Sequence, residues 1–209
     1  GASQIEQWSQ YSGNIYRTNI DWSPDASRSL LVLEDAELLQ IAPNINSITA
    51  GSFWFDDPNN FLYLQTRESD LPANHNIEVS LLKNIFYVNG DFVIVDGFEM
   101  KYSYHDGVSV DADNIIVRNN HIHHTGEVGS GSSSWASGSL YENNVIHDIQ
   151  SGIKNMGYGL NIASSPNAVV RNNEIYATKN KGIIVRGTSD NTQIVGNRIY
   201  GNVSNGIQI

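Results

Sequence analysis

The chain has 209 residues, of which 40% are hydrophobic and 16% are charged, and its formal net charge at pH 7 is -10. This length suits one sizeable domain. The 12 basic residues form no run, which argues against nucleic-acid binding. The absence of cysteine excludes disulfides and zinc sites that need thiolate ligands, and no apolar run reaches the length of a membrane span.

The first 80 residues predict a segment of short strands that packs on the rest of the chain or leads into it. Residues 30–33 are predicted to form a strand, although a short amphipathic helix is the alternative for this segment. Two aromatic runs, at 53–55 and 61–64, flank the turn sequence DDPNN and therefore predict a β-hairpin. A polar loop follows, and the next strand is expected to begin at 77–80.

From about residue 84 the chain repeats one short sequence, of the form NNxIH or NNxIY. One column of the repeat holds Met100, Ile122, Ile146, Ile175 and Ile199, and a second column, five places earlier, holds Val95, Val117, Tyr141, Val170 and Ile194. Successive members of a column are 22, 24, 29 and 24 residues apart. A repeat of this length is typical of a solenoid, in which each unit stacks on the next.

A glycine followed by a short alternating strand forms a second marker of the repeat. Gly107, Gly129, Gly182 and Gly206 lie seven residues after the column residue of their coil. Gly159 lies six places late, so the turn at 150–158 is interpreted as an insertion. Each coil is predicted to contain three short strands, each pairing in parallel with the same strand of the next coil at about 4.8 Å.

The NNxIH and NNxIY units, together with the Gly-Ile strands, resemble the right-handed parallel β-helix repeats of the pectate-lyase-like superfamily. The resemblance runs from about residue 51 to 209 and implies an all-β, right-handed, single-stranded parallel β-helix of about five coils. The coils would occupy 81–209, after an N-terminal segment at 1–80 that contains the β-hairpin. The proteins it is similar to are extracellular polysaccharide lyases and glycoside hydrolases, which implies an extracellular or cell-surface location and a polysaccharide partner.

The chain ends inside its repeat, at the sequence GIQI. An uncovered terminal coil presents unpaired strand edges. The interpretation favoured is that further coils follow residue 209, and the alternative is end-to-end contact with another copy.

Two further columns carry polar side chains. An inward-facing asparagine ladder is expected two places before the isoleucine column, at Asn120, Asn144, Asn173 and Asn197, with Phe98 in the first coil. An outward-facing stack is expected one place after it, at Lys101, His123, His147, Tyr176 and Tyr200. His121 and His123 share a face of their strand, so the alternative is a metal site formed with His147.

The Gly-marked strand is where the resemblance implies a substrate groove. The catalytic candidates along it are His105, Asp106, Lys154, Tyr158, Lys181 and Arg186, and the substrate-binding candidates are Ser109, Asp111, Asn161 and Gln208. Side chains of these types from different coils could converge to form an active site.

Two chemistries could use these residues. A lyase removes the proton α to a uronate carboxylate with a basic side chain, and calcium is the one cofactor it could need. A hydrolase needs two carboxylates roughly 5 to 9.5 Å apart, whereas Asp106 and Asp111 would lie about 16 Å apart on an extended strand. The sequence therefore slightly favours a lyase, and the alternative is a non-catalytic β-helix used for adhesion or assembly.

Overall fold

The structure is a computed structural model that describes residues 2–20, 30–132, 136–150 and 156–209. The chain divides into two compact units, Ala2–Leu81 and Leu82–Ile209. Within the described ranges, no helix combines the length and the apolar character that crossing a bilayer requires. The candidate residue Lys154 lies outside the described residues.

The N-terminal unit contains two β-sheets. Its strands are β1 (Ala2–Gln4), β2 (Ser9–Ser12), β3 (Ile15–Asn19), β4 (Val32–Glu34), β5 (Glu37–Leu38), β6 (Gln40–Ile41), β7 (Ser52–Asp56), β8 (Phe61–Gln65) and β9 (Ile77–Ser80). Among its described residues, single-turn 3-10 helices lie between these strands at Ile45–Ser47, Asp57–Asn59 and Pro72–Asn74. The strands are ordered β1-β9-β4-β5 in one sheet and β2-β3-β8-β7-β6 in the other.

The predicted hairpin is confirmed. Strands β7 and β8 pair antiparallel from Ser52 opposite Gln65 to Asp56 opposite Phe61. The turn ends at Asn60, whose φ of 56° is one that asparagine tolerates better than most residues. The strand predicted near residue 30 begins at Val32, and the helical alternative is wrong because the following residues form β5 and β6.

The second unit is a right-handed parallel β-helix of five coils, as predicted. The first coil contains β10 (Leu82–Val88), β11 (Ile94–Asp96) and β12 (Glu99–Lys101), and the second contains β13 (Ser103–Val110), β14 (Ile116–Arg118) and β15 (His121–His123). The third coil contains β16 (Val128–Ser132), β17 (Leu140–Glu142) and β18 (Val145–His147), and the fourth contains β19 (Tyr158–Ala163), β20 (Val169–Arg171) and β21 (Glu174–Tyr176). The fifth coil contains β22 (Ile183–Arg186), β23 (Gln193–Val195) and β24 (Arg198–Tyr200). A last strand, β25 (Ile207–Gln208), pairs with β22.

Strands of equal position stack into three parallel sheets. The first sheet is β10-β13-β16-β19-β22-β25, the second is β11-β14-β17-β20-β23, and the third is β12-β15-β18-β21-β24. All three sheets contribute buried apolar side chains to one core, which they enclose. The core is a continuous column because the same apolar position recurs in every coil.

Both apolar columns predicted from the repeat are confirmed by the strand registers. In the third sheet Met100 pairs with Ile122, Ile122 with Ile146, Ile146 with Ile175, and Ile175 with Ile199. In the second sheet the register joins Val95, Val117, Tyr141, Val170 and Ile194. The predicted glycines also form one column, since a Cβ on Gly107, Gly129, Gly159 or Gly182 would meet the carbonyl oxygen of the next glycine in it.

Four asparagine side chains run in one hydrogen-bonded row along the inside of the turn before the third sheet. The side-chain amides of Asn120, Asn144 and Asn173 each donate to the Oδ1 atom of the next asparagine, at 3.1, 2.9 and 3.0 Å, and the row ends at Asn197. Each Nδ2 atom also donates to a backbone carbonyl of the preceding coil, for example Asn144 to Val117 at 2.9 Å. The row satisfies buried polar groups at a turn that recurs in each coil.

Aromatic rings stack on the outer face of the third sheet. The register joins Lys101, His123, His147, Tyr176 and Tyr200. Ring centroids are 5.1 Å apart for His123 and His147, 4.7 Å for His147 and Tyr176, and 5.1 Å for Tyr176 and Tyr200, with interplanar angles of 9° or less. The predicted outward column is therefore a stack of nearly parallel rings.

Candidate functional site

His105, on strand β13 of the first sheet, lies between two carboxylates. His105 and Asp106 are neighbours on β13, and the Nδ1 atom of His105 lies 2.8 Å from Oδ1 of Asp106. Its Nε2 atom lies 3.0 Å from Oε2 of Glu127, which precedes β16 in the next coil. The backbone N–H of Glu127 donates to the carbonyl of His105 at 2.9 Å, so the parallel ladder itself sets the two side chains side by side.

Burial and charge set the protonation of this group. The side chains are 1% exposed for Glu127, 10% for Asp106 and 27% for His105, so His105 is the member nearest to solvent. Burial lowers the pKa of His105, but the hydrogen bonds and charges of Asp106 and Glu127 outweigh it and raise the pKa to about 9. His105 is therefore a cation at neutral pH, fixed in orientation by both ring nitrogens.

Three candidate residues share one column at this edge of the first sheet. Asp106 pairs with Val128, and Val128 with Tyr158. Lys181 follows in the next coil, where its carbonyl accepts from Gly159 at 3.0 Å, and its Nζ atom lies 5.2 Å from the centroid of the Tyr158 ring. We call the column of Asp106, Val128, Tyr158 and Lys181, together with His105 and Glu127, the entry edge.

The middle row of the first sheet contains the substrate-binding candidates. The register joins Tyr87, Ser109, Gly131, Asn161, Ile184 and Gln208, as the repeat predicts for Ser109, Asn161 and Gln208. Ser109 and Asn161 are each only 6% exposed, which leaves little of either side chain for a ligand to contact. Exposed surface in this row lies at its two ends, at Tyr87 and Gln208.

Asp111 and Arg186 lie at the opposite edge of the same sheet. Asp111 follows β13 and accepts a hydrogen bond from the Tyr87 hydroxyl at 2.9 Å, and this bond raises the pKa of Tyr87. Arg186 is exposed and its register partner is Ala163. The structure thus places His105 beside Asp106 and Lys181 beside Tyr158 along one edge of the sheet, and it places Asp111 and Arg186 at the other edge.

Glu127 is the residue of this group that the sequence reasoning missed. The repeat contained the signal, because Glu127 lies two residues before Gly129 and His105 lies two residues before Gly107. The equivalent positions in stacked coils must be neighbours. The strand after Gly129 was hard to recognise because β16 reads VGSGS, a sequence with little apolar character.

The entry edge offers hydrogen-bond donors and cations. The Tyr158 hydroxyl and the Lys181 ammonium group can each donate to the hydroxyl or carboxylate oxygens of a ligand, whereas both ring nitrogens of His105 already face carboxylates. Calcium takes six to eight oxygen ligands, whereas the carboxylates of Asp106 and Glu127 both face the His105 ring. Asp106 and Glu127 are therefore better placed to stabilise a cationic His105 than to bind calcium.

Comparisons with known proteins agree with this architecture. The family described as "Right handed beta helix region" matches residues 84–209, and no curated protein matches the sequence. Among solved structures the chain is similar to the complex of XylC with xylose, at 13% sequence identity and a TM-score of 0.72. The similarity covers 100% of this chain and 52% of the XylC chain, so this chain spans about half the length of that protein. The chain belongs to the right-handed β-helix family.

Proposed function

We propose that this chain binds a polysaccharide along the entry edge, and that the complete protein cleaves this polymer by β-elimination in preference to hydrolysis. The observation that carries the proposal is the column at the entry edge, in which Tyr158 and Lys181 lie on successive coils and follow Asp106, the neighbour of His105. A linear polymer aligned with the helix axis would meet a new coil about every 4.8 Å. XylC, which has the same fold, binds xylose, and this supports a sugar as the ligand.

The charges at the entry edge favour a uronate-containing polymer. The chain as a whole is acidic, with a net charge of -10, so an anionic polymer needs a local cationic surface. Lys181 supplies a positive charge there, whereas the charge of His105 is balanced by Asp106 and Glu127. In β-elimination a cation at the uronate carboxylate makes the α-proton more acidic, and a base removes that proton. The carbon–oxygen bond to the leaving sugar then breaks, the glycosidic oxygen keeps the electron pair of that bond and takes up a proton, and a carbon–carbon double bond forms. Tyr158 and Lys181 are the candidate bases.

Hydrolysis is the second candidate because Asp106 and Glu127, on neighbouring coils, form a closer pair of carboxylates than Asp106 and Asp111 on one strand. Asp106 and Glu127 contact the same imidazole ring, which keeps their carboxylates within the roughly 5 to 9.5 Å that glycosidases use. Both side chains are nearly buried, so His105 would have to move before either could reach a sugar. This need for movement ranks hydrolysis below elimination.

The experiment is an assay against xylan, glucuronoxylan, pectate and alginate, with and without Ca²⁺. Binding is measured by affinity electrophoresis, elimination by ultraviolet absorbance of the unsaturated product, and hydrolysis by new reducing ends without that absorbance. We expect binding to an acidic polymer, and a loss of about tenfold or more in affinity for Lys181→Met, because it removes one charged hydrogen bond. His105→Gln should also weaken binding, because it leaves the negative charges of Asp106 and Glu127 unbalanced beside an anionic polymer.

The control is Arg118→Gln, which removes one exposed cation from the second sheet and should leave the affinity unchanged. Equal affinities for all three variants would contradict a site at the entry edge. Binding to no polymer in the panel would contradict the proposed function itself. Calcium and an extracellular location stay predictions, and the first is tested by the paired assays.

A further inference from the structure

Three histidines and one glutamate converge on the outer face of the third sheet, away from the entry edge. Glu99 is on β12, His121 and His123 are on β15, and His147 is on β18. The register sets Glu99 beside His121 and His123 beside His147. Residues from three successive coils therefore meet at one place on the surface.

The metal-binding atoms of these side chains face one another. The Nε2 atoms of His121 and His147 lie 2.7 Å apart, and Nε2 of His123 lies 3.2 Å from Oε1 of Glu99. The ligand atoms of Glu99, His121 and His123 all lie within 4.8 Å of one another. Ligands of a tetrahedral zinc ion at 2.0–2.1 Å lie about 3.3 Å from each other, so small side-chain shifts would bring Glu99, His121 and His123 around one ion. His147, which approaches His121, would have to turn further to join them.

Neighbouring side chains hold two of the histidine rings. The Nδ1 atom of His147 lies 2.6 Å from Oδ2 of Asp148, which leaves its Nε2 atom facing His121. The Nδ1 atom of His123 lies 2.7 Å from Nδ1 of His124, which leaves its Nε2 atom facing Glu99. A carboxylate on the far nitrogen of a histidine is a common support for a metal ligand, because it fixes the tautomer and the ring orientation.

Ring stacking alone does not account for this arrangement. Stacking on Tyr176 and Tyr200 explains His123 and His147, whose rings continue that column. His121 lies outside that column, beside Glu99 and Val145 in the register. Its ring is tilted against those of His123 and His147, and its Nε2 atom approaches that of His147. The additional histidine in an adjacent column is the feature that a structural stack does not require.

We propose that His121, His123, His147 and Glu99 form a zinc site that links three coils of the β-helix. Imidazole ligands favour Zn²⁺ and other late first-row metals, whereas Ca²⁺ and Mg²⁺ prefer oxygen ligands. Glu99 also pairs with Lys101 at 3.4 Å, so the three histidines contribute most of the affinity. Zinc bound here joins β12, β15 and β18 and stabilises the folded chain.

The test is isothermal titration calorimetry of the untagged, chelator-treated chain with zinc, with metal content checked by mass spectrometry. The variants are His147→Tyr and His121→Val. The equivalent positions of the following coil already hold Tyr176 and Val145, so both variants should keep the folded structure. We expect one zinc ion per wild-type chain. Each variant should weaken binding by at least about 100-fold, the upper end of the effect of losing a supporting residue.

Tyr176→Phe is the matched control, because it alters the same stack without removing a ligand and should leave zinc affinity unchanged. Zinc should also raise the melting temperature of the wild type and of Tyr176→Phe, but not that of the His121→Val, His147→Tyr double variant. Equal zinc affinity in the wild type and the double variant, or no zinc binding by the wild type, would overturn the proposal.

Discussion

Replacing Glu127 by glutamine is expected to lower the pKa of His105 below its value of about 9 and to destabilise the β-helix. Glutamine keeps the size and an acceptor oxygen but removes the buried charge that lies 3.0 Å from the ring. With one carboxylate lost, the effect of burial, which lowers the pKa of His105, is opposed only by Asp106. We expect a cost of about 3 kcal/mol, the lower end of the range for breaking a buried ion pair.

The pH dependence follows from the direction of the shift. The pKa of His105 is raised from 6.5 to about 9 in the folded protein, so the stabilisation is fully present below about pH 6.5 and is lost as the pH rises through 9. In Glu127→Gln the stabilisation should be smaller, and its loss should be complete at a lower pH. NMR titration of the His105 imidazole measures the pKa, and urea unfolding at several pH values measures the free energy of unfolding.

Asp96→Asn is the control for this variant. It neutralises a carboxylate that pairs with Arg118 at 2.9 Å on the exposed second sheet, where solvent screens the charges. Its effect on stability should be clearly smaller, and the pKa of His105 should not change. An unchanged His105 pKa in Glu127→Gln would show that Glu127 does not set the charge at the entry edge.

Replacing Gly129 by alanine is expected to destabilise the β-helix strongly. A Cβ atom there would lie 2.7 Å from the carbonyl oxygen of Gly159 and would collide with the Cγ2 atom of the buried Ile146. The coils are joined by the parallel ladder and cannot separate at one point without losing hydrogen bonds. We expect a loss of about 3 kcal/mol, at the upper end of the usual cost of overpacking.

Gly206→Ala is the matched comparison, because it lies in the same column of the repeat. There the added Cβ would meet only Ile199 Cγ2, at an ordinary 3.6 Å. Its free energy of unfolding should stay within about 0.5 kcal/mol of the wild type. Urea unfolding of both variants gives the comparison, and equal stabilities would contradict the close stacking of the coils at Gly129.

Most of the β-helix could be predicted because its repeat leaves few alternatives. Once Ile122 and Ile146 are assigned to one column, parallel pairing fixes the other residues of that sheet. The Gly-marked strands give a second reference, which fixes the row through Ser109 and Asn161 across the insertion. The prediction failed to identify Glu127 because its coil has glycine and serine where the other coils have apolar residues. A column is recognised from sequence only where its residues alternate in polarity.

The candidate site was harder to predict than the fold because it depends on distances between side chains. Register shows that His105 and Glu127 are neighbours, but not that both ring nitrogens of His105 are held or that Glu127 is almost fully buried. It likewise does not show that Ser109 and Asn161 are buried on the outward row. These properties follow from packing around each residue, which differs between coils even where the backbone repeats.

A sugar-binding site at the entry edge can be tested directly by NMR with labelled histidine and tyrosine. The wild-type chain is titrated with oligosaccharides of the acidic polymer that it binds best. We expect the signals of His105 and Tyr158 to shift in a saturable way, and those of His75, in the N-terminal unit, to stay unchanged. Saturable shifts that leave His105 and Tyr158 unaffected, or no shift with any oligosaccharide, would contradict it.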